Sequence, residues 1–307
     1  KNADKMRFPH TRALQTVRCA LTDAWEENGV LQNYIDDLRQ RYGQGQTEQA
    51  WAVRPSVLPN HLYPDLWIAD RALEALQRIP DNHPWLLWVS FVGPHEPFDT
   101  PEPWSTCHDT PPPVPSGEWI SALPKNCELF QAQQRWQGKL SRGAIDHCRQ
   151  DYANHLQLLD AQLDRLVQAL DQRNDAGNTA IAVTADHGEM LGDHDMLYKG
   201  TFLEASIRVP FQYTPPSAEH HQSSAEWLTK PVGLTELFTR MVSNLRSGGK
   251  RDIITDSIRN TRHVCVEFGD ELLTIQNNRK LCCDKAGRPL WATQIKRDPS
   301  EQRNLLA

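Results

Sequence analysis

The sequence offers little support for nucleic-acid binding or a membrane span. Asp and Glu outnumber Lys and Arg by 39 to 33, and the basic residues are scattered, so no basic surface for DNA or RNA is predicted. No run approaches the roughly 20 apolar residues that a membrane helix needs. The first ten residues, KNADKMRFPH, also lack the apolar core of a signal peptide. We expect no nucleic-acid partner and no membrane span, and the compartment stays open.

Cysteine pairs of the CxxC type are also missing, although the chain has seven cysteines. Their absence excludes a zinc ribbon and a thioredoxin-type site. An odd number of cysteines, with Cys282 and Cys283 adjacent in a strand-like run, is typical of free or partly paired structural residues. The remaining composition is that of a globular protein, long enough for one large domain with a small appendage.

Hydrophobic periodicity predicts alternating helices and strands. The segment DLWIADRALEALQRIP has a helical spacing of apolar residues, with Asp65 as the expected N-cap and Pro80 as the stop. It leads into the run from Trp85 to Val92, which is apolar except for Ser90 and is typical of a strand buried on both faces. A second helix, YANHLQLLDAQLDRLVQALDQ, leads into a second apolar strand, TAIAVTAD. This order predicts an α/β fold with a mainly parallel sheet sandwiched by helices.

Two other regions differ from this pattern. Residues 100 to about 140 are rich in Pro, Ser, Gln and Trp and indicate a long excursion outside the sheet. After residue 249, the short runs HVCVEF, ELLTIQ, RKLCCD and LWATQI are separated by turn residues and predict a small antiparallel subdomain. We therefore expect an α/β domain over residues 1–249 and a subdomain over residues 250–307.

Residues with potential chemistry follow both predicted strands. Ligands of parallel α/β sheets collect beyond the carboxyl ends of strands, where loops converge. The first strand is followed by Gly-Pro-His-Glu-Pro, whose prolines restrict the backbone around His95. His95 could act on a substrate or could equally be a packed loop histidine.

The second strand is followed by Asp186, His187 and Gly188. A carboxylate next to an imidazole can direct an oxygen and a nitrogen at one divalent cation, and the glycine allows a sharp turn. The alternative is a helix cap beside a surface imidazole. A second Asp-His pair, Asp193 and His194, favours metal or anion chemistry for this stretch, although we interpret that second pair as structural.

Lys199 lies 13 residues after Asp186 and is followed by Gly200. Its positive charge would suit an anionic substrate, although a single lysine is more often only solvated.

The stretch TADHGEMLGDHDMLYKGTFLEASIRVP resembles the carboxyl-side signature of the sulfatases, within the alkaline phosphatase superfamily. The segments LPNHLYPDLWIADRALEAL, FVGPHEPFD, YANHLQLLDAQLDRLVQAL and DPSEQRNLL occur in the order expected for that family. The resemblance covers most of the chain, from about Leu58 to Leu306. It implies an alkaline phosphatase-like fold.

The resemblance also implies an activity, namely hydrolysis of a sulfuric ester with a divalent cation, usually calcium. By position, Asp186 and His187 would be metal ligands, and Asp186 would also help to activate the nucleophile. Lys199 and His95 would contact the sulfate and help to discharge the leaving oxygen. Such chemistry needs positive groups around the sulfate oxygens as charge moves to the leaving group. The expected substrate is a small-molecule or carbohydrate sulfate ester.

One family feature is missing from the 307 residues. Sulfatases form a formylglycine nucleophile from a C/S-x-P-x-R motif, preceded by paired Asp metal ligands, and neither the cysteines nor the serines have this pattern. We expect the motif in a segment preceding Lys1, so that this chain alone would be an inactive fragment. The alternatives are a phosphodiesterase or phosphonate monoester hydrolase of the same superfamily, and a non-catalytic metal- or anion-binding module.

Overall fold

The structure, a computed structural model, describes residues 19–42, 52–106, 114–214, 216, 231–246 and 261–307. The helices in these ranges are α1 Ala20–Glu27, α2 Leu31–Tyr42, α3 Pro64–Arg78, α4 Glu128–Trp136, α5 Arg142–Asp171, α6 Glu204–Ile207 and α7 Leu234–Arg246. The strands are β1 Ile181–Thr184, β2 Phe211–Thr214, β3 Val264–Phe268, β4 Glu271–Gln276, β5 Arg279–Asp284 and β6 Pro289–Gln294. No helix in the described ranges is both long enough and apolar enough to cross a membrane.

The chain divides into two compact units, and each is made of two separate stretches of sequence. The first unit contains residues 1–111 and 142–176, and the second contains residues 112–141 and 177–307. The predicted boundary between residues 249 and 250 lies outside the described residues and stays a prediction.

In the first unit, helix α3 has a different start from the predicted one. Tyr63 is the N-cap, and Pro64 occupies the first helical position, where its missing N–H has no intrahelical partner to lose. Asp65, the predicted N-cap, lies instead in the first turn with its side chain buried. Its carboxylate accepts hydrogen bonds from the backbone N–H groups of Val92 and Gly93. The N-cap prediction was wrong because this long-range contact takes the carboxylate.

The second predicted helix is confirmed as part of the 30-residue helix α5. Leu158 on α5 is fully buried and packs against Tyr63 and Leu66 at the start of α3. On the exposed side of the same helix pair, Arg165 forms an ion pair with Asp70 at 2.7 Å. The periodicity indicated the buried face of α5 only in part, because Leu156 is 47% exposed and half of the buried positions of the helix are polar.

The run from Trp85 to Val92 forms no strand in the described structure, so that prediction was wrong. Leu86 and Trp88 are 69% and 70% exposed. A strand needs a hydrogen-bonded neighbour, and none of the described segments pairs with this run. Apolar content alone therefore did not determine its conformation.

In the second unit, strand β1 is confirmed, and it pairs with β2 in an antiparallel register, Ile181 opposite Thr214. The four strands β3 to β6 form a sheet in which each strand is antiparallel to the next, as predicted for the carboxyl-terminal region. Asn277 and Asn278 connect β4 to β5 with φ of 51° and 61°, the conformation of a tight two-residue hairpin turn.

The inner face of the β3–β6 sheet belongs to one hydrophobic core with the preceding segments of its unit. Trp291, Leu273 and Cys282 are fully buried on the sheet side. The residues that pack with them come from residues 120–132, including helix α4, and from residues 190–203, namely Ile120, Leu123, Cys127, Leu129, Ala132, Met190, Met196, Phe202 and Leu203. The predicted excursion thus contains a helix, and the sheet supports the chain that follows β1.

The six described cysteines are free thiols, while Cys107 lies outside the described residues. Burial raises the pKa of Cys127 to about 11, so its thiol stays protonated at neutral pH. Burial also raises the pKa of Cys282 well above its usual range. Buried, protonated thiols are poor nucleophiles and act as small apolar residues, which agrees with their structural interpretation.

Asp151 on α5 gives a prediction for pH-dependent stability. Its carboxylate is buried and accepts the Thr100 N–H at 3.2 Å, and burial raises its pKa to about 6, against an opposing effect of His155. The folded state therefore binds more protons than the unfolded state between about pH 4 and pH 6, and stability falls as pH rises through this range. We expect Asp151→Asn, which keeps an oxygen acceptor for Thr100, to raise Tm by roughly 3 °C or more at about pH 7.5.

Thermal unfolding followed by circular dichroism at several pH values tests this expectation. The gain should shrink as pH falls and disappear near pH 3, below both pKa values, where Asp151 is protonated in both states. Asp160→Asn is the matched control, because Asp160 is exposed on the same helix. A gain that is equal at both pH values would show that ionisation of Asp151 is not its cause.

Candidate functional site

The predicted metal ligands lie in the turn directly after β1. The Asp186 carboxylate is 88% exposed, and its Oδ1 accepts the His187 N–H at 2.9 Å. His187 Nδ1 lies 2.9 Å from the Gly188 carbonyl, and because a carbonyl can only accept, Nδ1 carries the proton. In the neutral ring the lone pair is then on Nε2, which lies 3.7 Å from Asp186 Oδ2. The structure thus brings a carboxylate oxygen and an imidazole nitrogen together.

Gly188 fixes this turn against the chain at helix α6. Its N–H donates to the Ser206 carbonyl at 2.7 Å. A Cβ at Gly188 would lie 2.1 Å from the Ala205 carbonyl oxygen, so any larger residue would displace the backbone. A close backbone approach therefore requires glycine at position 188, whereas the predicted sharp turn stays a prediction.

The segment between Gly188 and Lys199 folds back on itself through tight turns. The Met190 N–H donates to the Tyr198 carbonyl at 2.8 Å, and the Glu189 carboxylate accepts the N–H groups of Tyr198 and Leu191. Backbone φ is positive at Leu191, Gly192, His194, Asp195, Tyr198 and Gly200. Such turns cost conformational energy and persist only when the surrounding contacts hold them. Glu189 supplies two of those contacts.

Lys199 lies at the end of this segment, next to Gly200, whose φ is 89°. Its side chain is half-buried, and Nζ lies 5.9 Å from the centroid of the Tyr198 ring. The Tyr198 ring in turn makes an edge contact with Trp136, at 5.2 Å between centroids. Lys199 is therefore attached to a backbone segment that its neighbours hold in place.

The second Asp-His pair is placed differently. His194 is 2% exposed, its N–H donates to the Pro115 carbonyl at 3.0 Å, and its own carbonyl accepts from Gln133 at 3.2 Å. Burial lowers the pKa of its imidazole, so the ring is neutral at pH 7. These contacts support the structural interpretation of His194.

His95 belongs to the first unit. Its ring is 24% exposed, and Nδ1 lies 2.8 Å from the Glu96 carbonyl and 3.0 Å from the Glu96 carboxylate. Since both of these partners accept hydrogen bonds, Nδ1 carries a proton. The Glu96 side chain is 5% exposed, so the group that orients His95 is itself well packed. The ring is therefore oriented and partly accessible.

The chain's own residues fit a divalent cation only in part. Asp186 and His187 offer one oxygen and one nitrogen donor, and the Nδ1–H contact with Gly188 is the outer hydrogen bond that metal-bound histidines usually make. Among the described residues, no group of three or more His, Cys, Asp or Glu side chains could hold a metal ion. The pair thus fits one edge of a cation site and not a complete coordination shell.

Sequence reasoning missed the residues that support these positions. Asp65 and His155 meet 90 residues apart in sequence, and no local pattern indicates their contact. Lys280 and Glu204 meet 76 residues apart. Glu301, which also contacts Lys280, lies in the DPSEQRNLL segment, which indicated only a family resemblance.

Comparisons with known proteins show what the chain is similar to. The family model described as Sulfatase matches residues 16–236. The chain is 29% identical over 172 residues to an arylsulfatase of Clostridium perfringens (strain 13 / Type A), which covers 53% of the chain and 34% of that protein. It is 26% identical over 157 residues to a choline-sulfatase of Rhizobium meliloti (strain 1021), which covers 49% of the chain and 31% of that protein.

A solved phosphonate monoester hydrolase of Agrobacterium radiobacter has a similar fold. Its TM-score is 0.65 at 19% identity, over 89% of this chain and 64% of that one. This likeness confirms the predicted alkaline phosphatase-like α/β fold, whereas the strands described in this chain pair antiparallel. The chain spans about a third of the length of the two curated relatives.

Proposed function

The chain belongs to the sulfatase family, and we propose that it carries part of the active site of a sulfuric ester hydrolase. The observation that supports this most is the turn after β1, where Asp186 and His187 lie together and Gly188 is held against the chain at Ser206. The expected substrate is a small-molecule or carbohydrate sulfate ester, in keeping with relatives named for aryl and choline sulfates.

Sulfatases generally use a divalent metal, and we propose Asp186 and His187 as two of its ligands, with calcium as the ion. A bound cation would neutralise negative charge on the sulfate oxygens. The exposed Asp186 carboxylate is a hard oxygen donor, which calcium prefers. The Gly188 contact fixes the tautomer and orientation of His187. Asp186 would also help to activate the nucleophile.

We propose that Lys199 and His95 act on the sulfate group. Lys199 would place its positive charge beside the non-bridging oxygens, which carry negative charge as the ester bond breaks. His95 would present Nε2 to the leaving oxygen. As the imidazolium, with a proton on each ring nitrogen, it would transfer the Nε2 proton to that oxygen and keep the Nδ1 proton, which is hydrogen-bonded to Glu96. No Cys or Ser among the 307 residues has the C/S-x-P-x-R pattern, so none of them is assigned as the formylglycine nucleophile.

Turnover of two model substrates tests the proposed function. The complete gene product should hydrolyse 4-nitrophenyl sulfate faster than 4-nitrophenyl phenylphosphonate. Incubation with EDTA should abolish turnover, and calcium should restore it better than magnesium or manganese. Faster phosphonate turnover would favour a phosphonate monoester hydrolase. Turnover of neither substrate, with calcium raising Tm through Asp186, would favour a metal-binding module.

A further inference from the structure

Three segments of the first unit meet at one buried point just before His95. Asp65 in the first turn of α3 is 1% exposed, and His155 in α5 is 3% exposed. Their side chains are joined at 2.8 Å between Asp65 Oδ2 and His155 Nε2. An ionised carboxylate has no hydrogen to donate, so His155 is the donor, through Nε2.

The same carboxylate also holds the backbone that leads to His95. Asp65 Oδ1 accepts the Val92 N–H at 2.7 Å and the Gly93 N–H at 3.1 Å, and Oδ2 lies 3.1 Å from the Gly93 nitrogen. One buried carboxylate thus receives donors from His155, Val92 and Gly93. Hydrogen bonds to an ionised acceptor are roughly twice as strong as neutral ones, so the two amides are firmly held.

This contact requires a residue without a side chain at position 93. A Cβ at Gly93 would lie 2.1 Å from His155 Nε2 and 2.6 Å from Asp65 Oδ2. The pair therefore packs directly on the Cα of Gly93. Two residues later, the His95 N–H donates back to the Val92 carbonyl at 3.3 Å, so the held segment and His95 form one turn.

A small cavity lies beside this turn. Its volume is about 20 Å³, enough for one water molecule, and Asp65, Gly93, His95, Asp99 and His155 contribute to its lining. His95 is therefore not closely packed on the side of this cavity. The hydrogen bonds at Val92 and Gly93 are the nearest rigid attachment on the amino side of the turn.

We propose that Asp65 and His155 are positioning residues that set the place of His95 in the active site. His155 orients the Asp65 carboxylate, and the carboxylate holds the two amides that begin the turn. The inference rests on the proposed function for its kinetic consequence, because His95 acts on the leaving oxygen only in that proposal. The structural part of the proposal, that Asp65 and His155 hold the turn that carries His95, does not depend on which reaction is catalysed.

A purely structural role for the pair is disfavoured by its surroundings. Arg165 and Asp70 already join α3 to α5 at the surface. Burying a hydrogen-bonded polar pair costs desolvation energy, and apolar residues of similar volume often hold helices together as well or better. If the pair only joined two helices, Asp65 would not need to accept hydrogen bonds from the amides of Val92 and Gly93.

Kinetics of matched variants of the complete gene product test the proposal. Asp65→Asn and His155→Leu should each lower kcat for 4-nitrophenyl sulfate by about 10- to 100-fold, the effect of a small misplacement of a reacting group, with KM changed less than threefold. His155→Gln keeps a donor near the position of Nε2 and should retain kcat within about threefold. Arg165→Gln removes the surface pair and should leave kcat unchanged.

An equal loss of kcat in His155→Gln and His155→Leu would overturn the proposal, because the effect would then not depend on the hydrogen bond that glutamine retains. Unchanged kcat in a folded Asp65→Asn variant would overturn it as well. These outcomes presuppose a wild-type protein that hydrolyses the ester.

A second measurement needs no turnover and separates the two ideas. Amide hydrogen exchange of Val92 and Gly93 should become at least tenfold faster in Asp65→Asn, and the ring 15N signals of His95 should shift, while Arg165→Gln changes neither. Inactive wild-type protein that shows these changes would refute the proposed function and still support the positioning of His95. Unchanged exchange and unchanged His95 signals in a folded Asp65→Asn protein would refute the positioning.

Discussion

Replacing Lys199 with alanine is expected to lower kcat for an aryl sulfate by about 10²- to 10³-fold, the usual effect of removing one group that stabilises transition-state charge. The reason is the placement of Lys199 at the end of a segment tied down by Glu189 and the Met190–Tyr198 hydrogen bond. A fixed charge needs little reorganisation when the ester bond breaks. Steady-state kinetics of the complete gene product measure the effect.

Folding stability should change little in the same variant, because the Lys199 side chain is only half-buried and lies outside the hydrophobic core of its unit. Tm should therefore fall by only a few degrees. Lys285→Ala is the control, since Lys285 is 65% exposed in the same unit and pairs with Asp270. Unchanged kcat/KM in Lys199→Ala would remove Lys199 from the site, and an equal loss in both variants would indicate an unspecific effect of charge.

Local signals in the sequence predicted the parts of the fold that depend on local geometry. The helical conformation of α5 and the alternation of β4 and β5 follow from the periods of helix and strand. The β4–β5 turn follows from two adjacent asparagines, which tolerate positive φ. The Asp186–His187 arrangement was equally predictable from the sequence, because its contacts lie within the same three residues.

Long-range contacts were not predictable in this way. Asp65 looked like an N-cap because its residue type and position suit one, yet its partners are 27, 28 and 90 residues away. The run from Trp85 to Val92 looked like a buried strand because apolar content does not reveal whether a neighbouring strand is present. Roles assigned to His95 and Lys199 came from a family pattern, which local spacing does not supply.

Lys280 is a further exception to sequence reasoning, and it gives the prediction with the largest expected effect on stability. It lies on the inner face of β5, two residues before Cys282, at a position that normally holds an apolar side chain. Its side chain is fully buried, and Nζ lies 2.9 Å from Glu301 Oε1 and 3.1 Å from Glu204 Oε1. Replacement by methionine fills the volume and leaves two carboxylates without their cation.

We expect Lys280→Met to lower the free energy of unfolding by about 3–5 kcal/mol, the usual cost of breaking a buried ion pair by removing one partner. Glu301 cannot escape this cost easily, because Oε1 also accepts the Thr293 hydroxyl at 2.8 Å and Oε2 accepts the Glu204 N–H at 2.6 Å. Its carbonyl accepts Trp119 Nε1 at 2.8 Å. Urea denaturation of the chain, followed by tryptophan fluorescence, measures the loss.

The double variant Lys280→Met, Glu301→Gln separates lost attraction from uncompensated charge. If the damage in Lys280→Met comes from repulsion between the buried Glu301 carboxylate and the partly buried Glu204 carboxylate, neutralising Glu301 should recover part of the loss, since glutamine keeps an oxygen for Thr293. Lys285→Met, at an exposed position, should cost less than about 1 kcal/mol. A loss in Lys280→Met no larger than this control would mean that the carboxylates relax into water. The ion pairs of Lys280 with Glu204 and Glu301 would then not fix the start of α6, which lies five residues after Lys199.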